Sequence, residues 1–163
     1  METTNRVAEK PLDLGVHRYT IELIRDGKNG PETIQRQVVN NLVTSVGKRE
    51  ILRLAAGLLT ENMDHMRIGT SPAAAASNQA DVLSPVAGTQ VTVTTKTMDG
   101  RTLELMYSYE SSAGSISAAD IQEVAILGQI TSDGASAYSR AVFSSVNKTT
   151  ADKLKITYQV RIT

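Results

Sequence analysis

The last third of the chain alternates between apolar and polar residues in a pattern that predicts a β-strand. Successive side chains of a strand point to opposite faces, so strict alternation gives one buried face and one solvated face. Lys153, Lys155 and Arg161 lie at the polar positions. We therefore expect this strand to be a central element of a mainly β protein. Its apolar positions are Leu154, Ile156, Tyr158, Val160 and Ile162.

The same alternation recurs upstream and predicts seven or more strands. Asp99-Gly100 separates two alternating runs, which is a strong hairpin signal, and Asp26-Gly27 with Asn29-Gly30 indicates an earlier hairpin. Many short strands with turn residues between them predict an antiparallel β-sandwich with a jelly-roll-like pattern. The predicted strands cover residues 17–23, 33–39, 65–68, 91–95, 103–109, 121–127, 137–143 and 153–163.

One amphipathic helix is predicted over residues 45–59, where apolar residues recur at helical spacing. Thr44 or Ser45 can cap its N-terminus by accepting a backbone N–H bond. The stretch 71–86 is rich in alanine, serine and proline. It predicts either a short helix beginning at Pro72 or a loop with one helical turn. The stripe of the main helix consists of Ile51, Leu52, Leu54, Ala55, Leu58 and Leu59.

Length and composition indicate one domain and exclude several classes of function. A chain of 163 residues suits a polar arm over 1–15, an added hairpin over 16–39 and a sandwich module over 40–163. Seventeen basic and seventeen acidic residues give no net charge, so the electrostatic signature of a nucleic-acid binder is missing. Without cysteine, thiolate sites are excluded, and no apolar run has the length of a membrane span. We expect neither nucleic acid nor a membrane as partner.

The residues with chemical potential are few and match no catalytic or metal motif. His17 lies on the apolar face of its predicted strand, which favours a packed histidine. His65 follows Asp64 at the predicted helix end, but the spacing fits no set of metal ligands, so a solvated helix end is expected. Tyr107 and Tyr109 share a strand face, which is typical of a core. We expect no enzyme, no metal and no cofactor.

The order of segments in residues 40–163 resembles a small module of tailed-bacteriophage structural proteins. The matching parts are the run from Asn41 into the helix, a strand ending in Gly69-Thr70 and a small-residue loop. A strand pair follows, then the segment 119–126 with Glu123, and finally the run 141–154 into the last strand. The resemblance implies a virion component and carries no catalytic residues.

The resemblance does not fix the place in the virion, but the sequence is short and has no sustained heptads and no repeats of a fibre shaft. We therefore expect a capsid decoration or cement protein that binds neighbouring coat subunits, made in the host cytoplasm and assembled into the virion. We expect a homotrimer whose partners are copies of itself and major capsid or tail proteins. The alternatives are a tail, collar or baseplate fibre or adaptor protein, and a host-glycan binding domain that would need exposed tyrosines. Five charged residues on predicted polar strand faces are candidates for the interface: Arg18, Glu22, Lys153, Lys155 and Arg161.

Overall fold

The computed structural model describes residues 15–57, 63–112, 116–128 and 137–161. Residues 1–14 of the predicted arm, the predicted helix end at 58–59 and the last two residues of the predicted final strand, 162–163, lie outside the described residues.

The described chain forms one helix and ten strands. The first half contains β1 (Val16–Gly27), β2 (Gly30–Asn40), β3 (Leu42–Val43), α1 (Ser45–Ala55), β4 (His65–Gly69) and β5 (Val91–Thr92). The second half contains β6 (Thr95–Asp99), β7 (Thr102–Tyr109), β8 (Ala118–Leu127), β9 (Ala137–Lys148) and β10 (Asp152–Arg161).

The strands form two antiparallel sheets that pack as a β-sandwich, which confirms the predicted fold class. The first sheet has the order β2-β1-β10-β7-β6, and the second has the order β3-β9-β8-β4-β5. The terminal strand β10 therefore lies at the centre of the first sheet. Its residues Leu154, Ile156 and Tyr158 are buried in the core between the sheets, as the alternation predicted.

The chain closes both sides of the sandwich by passing from one sheet to the other. On one side, β2 of the first sheet runs through Asn41 into β3 of the second. On the other side, β5 continues into β6, with Val93 N–H bonded to the Asp64 carbonyl at 2.7 Å and Thr94 N–H bonded to the Met106 carbonyl at 2.8 Å. Each crossing bonds to both layers, so the two sheets are joined at their margins as well as through the core.

The helix α1 begins where the sequence predicts but differs in its end and its buried side. Thr44 is the cap: its hydroxyl oxygen accepts the Gly47 N–H at 2.9 Å. The helix ends at Ala55 and is followed by Gly57 at φ +67°. Leu52, expected in the apolar stripe, is 60% exposed, whereas Glu50 is buried. Gly47 faces the Tyr138 backbone, where a Cβ would collide with the Tyr138 carbonyl, and this close approach sets the helix face.

The small-residue segment is a loop without regular helix across residues 70–90, and we call it the covering loop. It lies on the outer side of the second sheet, where Val82 packs against Ala125, Leu127 and Ala137. The alternative of a short alanine helix beginning at Pro72 is therefore wrong. Alanines and serines allow the loop backbone to lie close to the sheet.

Replacing Tyr158 by aspartate should unfold the protein. Tyr158 is 3% exposed, its hydroxyl lies 2.9 Å from His17 Nδ1, and its ring centroid lies 4.9 Å from that of Tyr19. An unpaired carboxylate at this place would cost more than about 3 kcal/mol, a large part of a typical domain stability of about 5–15 kcal/mol. Urea denaturation followed by circular dichroism measures the effect.

The matched control is Lys155→Gln on the opposite face of the same strand. This change removes one surface ion pair and should cost at most about 1 kcal/mol. Equal urea midpoints for Tyr158→Asp and wild type would disprove the assignment of the buried face.

Candidate functional site: the open face of the first sheet

The histidines and aromatic residues are used for packing. His17 lies beside the buried Tyr158 at the end of the core. His65 is the first residue of β4 and not a solvated helix end, and its Nδ1 lies 2.7 Å from Asp64 Oδ1. Tyr107 and Tyr109 are core residues, as predicted. All five tyrosines and the single phenylalanine are at most 5% exposed, so they form no stacking surface for a sugar.

The described residues contain no group of three or more His, Asp or Glu side chains arranged to hold a metal ion. None of the helical residues described forms a segment with the length and hydrophobicity that crossing a bilayer requires.

The outer side of the second sheet is covered because a buried ion pair holds the covering loop there. Glu123 on β8 and Arg140 on β9 are both fully buried, with Arg140 Nη2 2.7 Å from Glu123 Oε2. The Glu123 carboxylate also accepts three backbone N–H bonds from the loop: Leu83 at 2.9 Å, Ser84 at 2.8 Å and Ser71 at 3.1 Å.

The arginine of this pair binds the other part of the same loop. Arg140 Nη1 donates to Gln79 Oε1 at 2.9 Å, and Nη2 donates to the Ala73 carbonyl at 2.9 Å. Two charges that would be costly in isolation are thus almost completely hydrogen-bonded. Burial acts to raise the pKa of the Glu123 carboxyl, but the loop N–H groups and the Arg140 guanidinium outweigh it and lower that pKa.

A second buried polar cluster holds the turn before β10. Asp152 is fully buried and accepts from Arg25 Nε at 2.7 Å and from the Thr149 backbone and hydroxyl. These hydrogen bonds hold the pKa of Asp152 well below its usual range, and the bond from Arg25 contributes most. The Lys148 ammonium donates to the carbonyls of Glu110, Ile116 and Thr149. The Glu123–Arg140 pair and this second cluster therefore both hold loops in place.

The outer side of the first sheet is uncovered by any other described element, and we call it the open face. Its members alternate with core residues along each strand, and the pairing of β1 with β10 and of β10 with β7 sets them side by side. The five candidate interface residues all lie on this one face. Strand β1 carries two of them, Arg18 and Glu22, and strand β10 carries the other three, Lys153, Lys155 and Arg161.

Ion pairs neutralise part of the open face. Glu22 lies between two cations, with its carboxylate 3.0 Å from Lys155 Nζ and 3.5 Å from Arg36 Nε. Lys153 Nζ lies 3.1 Å from Glu110 Oε1. In contrast, Arg18 is exposed, and its side chain has no hydrogen bond or ion pair with any other described residue.

Sequence reasoning missed the residues that complete this surface. Arg36 lies opposite Glu22, while Thr20 and Thr157 lie opposite each other in the next row. With Arg18, Glu104 and Gln159 they line a shallow groove of about 220 Å³. The alternation already placed Thr157 on the polar side, but which strands adjoin one another is not visible in it.

No protein-family model, no curated protein and no solved structure matches this chain.

Glu123→Ala should destabilise the protein by about 3–5 kcal/mol, because it leaves Arg140 buried without its counter-charge. The matched control is Glu104→Ala on the open face, which should change stability by less than about 0.5 kcal/mol. Urea denaturation of both variants measures the difference, and equal midpoints would contradict the assigned role of Glu123.

The double variant Glu123→Leu with Arg140→Leu should also remain destabilised. Apolar replacement can substitute for an isolated buried ion pair, but here the N–H groups of Ser71, Leu83 and Ser84 would lose their acceptor. Each unsatisfied buried group costs about 1–3 kcal/mol. A double variant as stable as wild type would show that the loop N–H bonds contribute nothing.

Stability should fall as the pH falls below about 4. In the unfolded chain the pKa values of Glu123 and Asp152 are about 4.3 and 3.9. In the folded protein both pKa values are lower than these. Their contribution is therefore present above the unfolded pKa values and is lost as the pH falls through the folded ones. Thermal melts between pH 7 and pH 2 measure this loss. Asp152→Asn should be less stable at pH 7 and should show a shallower acid decline, and an identical decline would refute the role of Asp152.

Proposed function

We propose that this protein is a non-enzymatic structural component of a tailed-phage virion and binds neighbouring subunits through the open face. The observation that carries the proposal is the asymmetry of the sandwich. The second sheet is covered outside by the covering loop, whereas the open face of the first sheet presents ordered charged side chains to solvent. The resemblance of residues 40–163 to phage structural modules supports the virion as its location.

Capsid decoration is the placement that we favour. The described fold is a compact sandwich whose margins are closed, which suits a protein seated on a coat surface. Strands about 4.8 Å apart and about eight residues long give the open face an area of roughly 500 Å². Stable interfaces bury about 800 Å² per partner, so one copy would bind weakly. A homotrimer that presents three such faces would gain affinity through multivalency, and we propose that state.

The alternative placement is a tail, collar or baseplate adaptor, which could use the same face on a different neighbour. Host-glycan binding has no observation in its favour, because all five tyrosines and the single phenylalanine are buried.

Mass spectrometry and cryo-electron microscopy of gradient-purified virions of the encoding phage test the proposal. We expect the protein in stoichiometric amounts, with density on the outside of the head. Density on the tail would replace capsid decoration with the alternative placement. Absence of the protein from purified particles would refute the virion role.

Charge reversal on the open face should reduce incorporation into particles. Arg18→Glu combined with Lys155→Glu changes two cations of this surface, and we expect at least about a tenfold loss of affinity for particles that lack the protein. The matched control is Lys48→Glu, an exposed lysine on α1, which should bind like wild type. Equal binding by the double variant would exclude the open face as the docking surface.

A further inference from the structure

The groove on the open face has the size and chemistry of a receptor for one acidic side chain. It is lined by Arg18, Thr20, Arg36, Glu104, Thr157 and Gln159 and has a volume of about 220 Å³. Sites for small molecules usually occupy about 300–1,000 Å³, so this groove is too small for most cofactors. It is large enough for a side chain that a partner protein inserts.

The floor of the groove offers hydrogen-bond donors that are not used elsewhere. Thr20 and Thr157 are cross-strand neighbours on β1 and β10, and both are half-buried. Neither hydroxyl bonds to another residue in the described part of the chain. Two adjacent hydroxyls at the bottom of a groove can donate to both oxygens of one carboxylate.

The walls of the groove supply positive charge. Arg18 is exposed and has no partner among the described residues, and Arg36 shares the carboxylate of Glu22 with Lys155. The Arg18 guanidinium is therefore available to an incoming anion, and Arg36 retains N–H donors that its single contact with Glu22 does not use. Guanidinium–carboxylate bonds are among the strongest in proteins. Glu104 on the opposite side disfavours a phosphate group or a nucleic acid backbone, whose charge is larger and more spread out.

We infer that the groove binds an aspartate or glutamate side chain of a partner protein, with Arg18 and Arg36 on the carboxylate and the two threonines beneath it. This inference rests on the proposed function and names the chemistry of the docking contact. Glu104 completes the pattern: a partner that places a basic residue beside its acidic one satisfies both sides of the groove. The contact would act as the central anchor of a larger and flatter interface.

Titration of the ¹⁵N-labelled protein with a peptide tests the inference. The probe is acetyl-Thr-Glu-Thr-Glu-Thr-amide, and its control replaces both glutamates by glutamine. We expect saturable shifts of the Thr20 and Thr157 amides with the glutamate peptide alone, with a Kd on the order of 1 mM, as suits a single anchor. Shifts that are equal for both peptides, absent at about ten times that concentration, or spread over Lys153 and Arg161, would overturn it.

Four variants locate the contact. Arg18→Gln and Arg36→Gln should each weaken peptide binding about fivefold, and Thr157→Val, which keeps the branched shape and removes the hydroxyl, should weaken it about threefold. Arg161→Gln, an arginine of the same face outside the groove, is the control and should bind like wild type. An equal loss for Arg161→Gln would indicate unspecific attraction and overturn the inference.

The composition of the virion separates this inference from the proposed function. If the protein is present in virions but Arg18→Gln is incorporated like wild type and the peptide does not bind, the groove is not the anchor, and the virion role stands. If the peptide binds in the groove but the protein is missing from virions, the acidic-residue receptor stands and its partner belongs elsewhere.

Discussion

The buried pair of Glu123 and Arg140 is the interaction on which the arrangement of the outer layers depends. It joins β8 to β9 and at the same time binds five backbone or side-chain groups of the covering loop. The large apolar side chains of the loop are Val82, Leu83 and Val86, and Leu83 is 49% exposed, so the polar contacts add to a limited hydrophobic contribution. Its approach also needs Gly69, since a Cβ there would lie 2.6 Å from the Ser84 carbonyl oxygen. The Glu123–Arg140 pair, the covering loop and Gly69 therefore depend on one another, and together they fix the position of the loop on the second sheet.

That constraint makes the two sheets unequal. The second sheet has apolar contacts on both sides, through the main core on one side and the small cluster around Val82 on the other. The first sheet has a core side and a solvated side. A free sheet face can serve as a flat docking surface, provided that its edges do not aggregate. The asymmetry therefore leaves the outer side of the first sheet exposed, and this is the surface that we propose for binding.

Alternation predicted the strands well because their register is strict, as in β7 and β10, where each buried residue is followed by a more exposed one. The helix was harder, since Leu52 fits an apolar stripe but is exposed, while Glu50 is buried beside Arg49 and Arg53. The covering loop has no period, so its position was not predictable. Charged residues inside the apolar runs of β8 and β9 were the available signal for it. The candidate residues share one face because β1 pairs with β10, a long-range pairing that local patterns do not encode.

One edge of the sandwich bears on the choice of a face over an edge as the proposed docking surface. The long edge strand β2 carries an extra residue, Ile34, that shifts its register against β1. On its inner side, the Gln37 amide bonds to both the N–H and the carbonyl of Ser144 on β9, at 2.9 Å and 2.8 Å, as a neighbouring strand would. The bulge disturbs the regular edge of β2, and the Gln37 side chain occupies two backbone groups of β9, so that strand addition is hindered at both strands. With strand addition hindered on this side, the side chains of the open face are the surface that we propose for association.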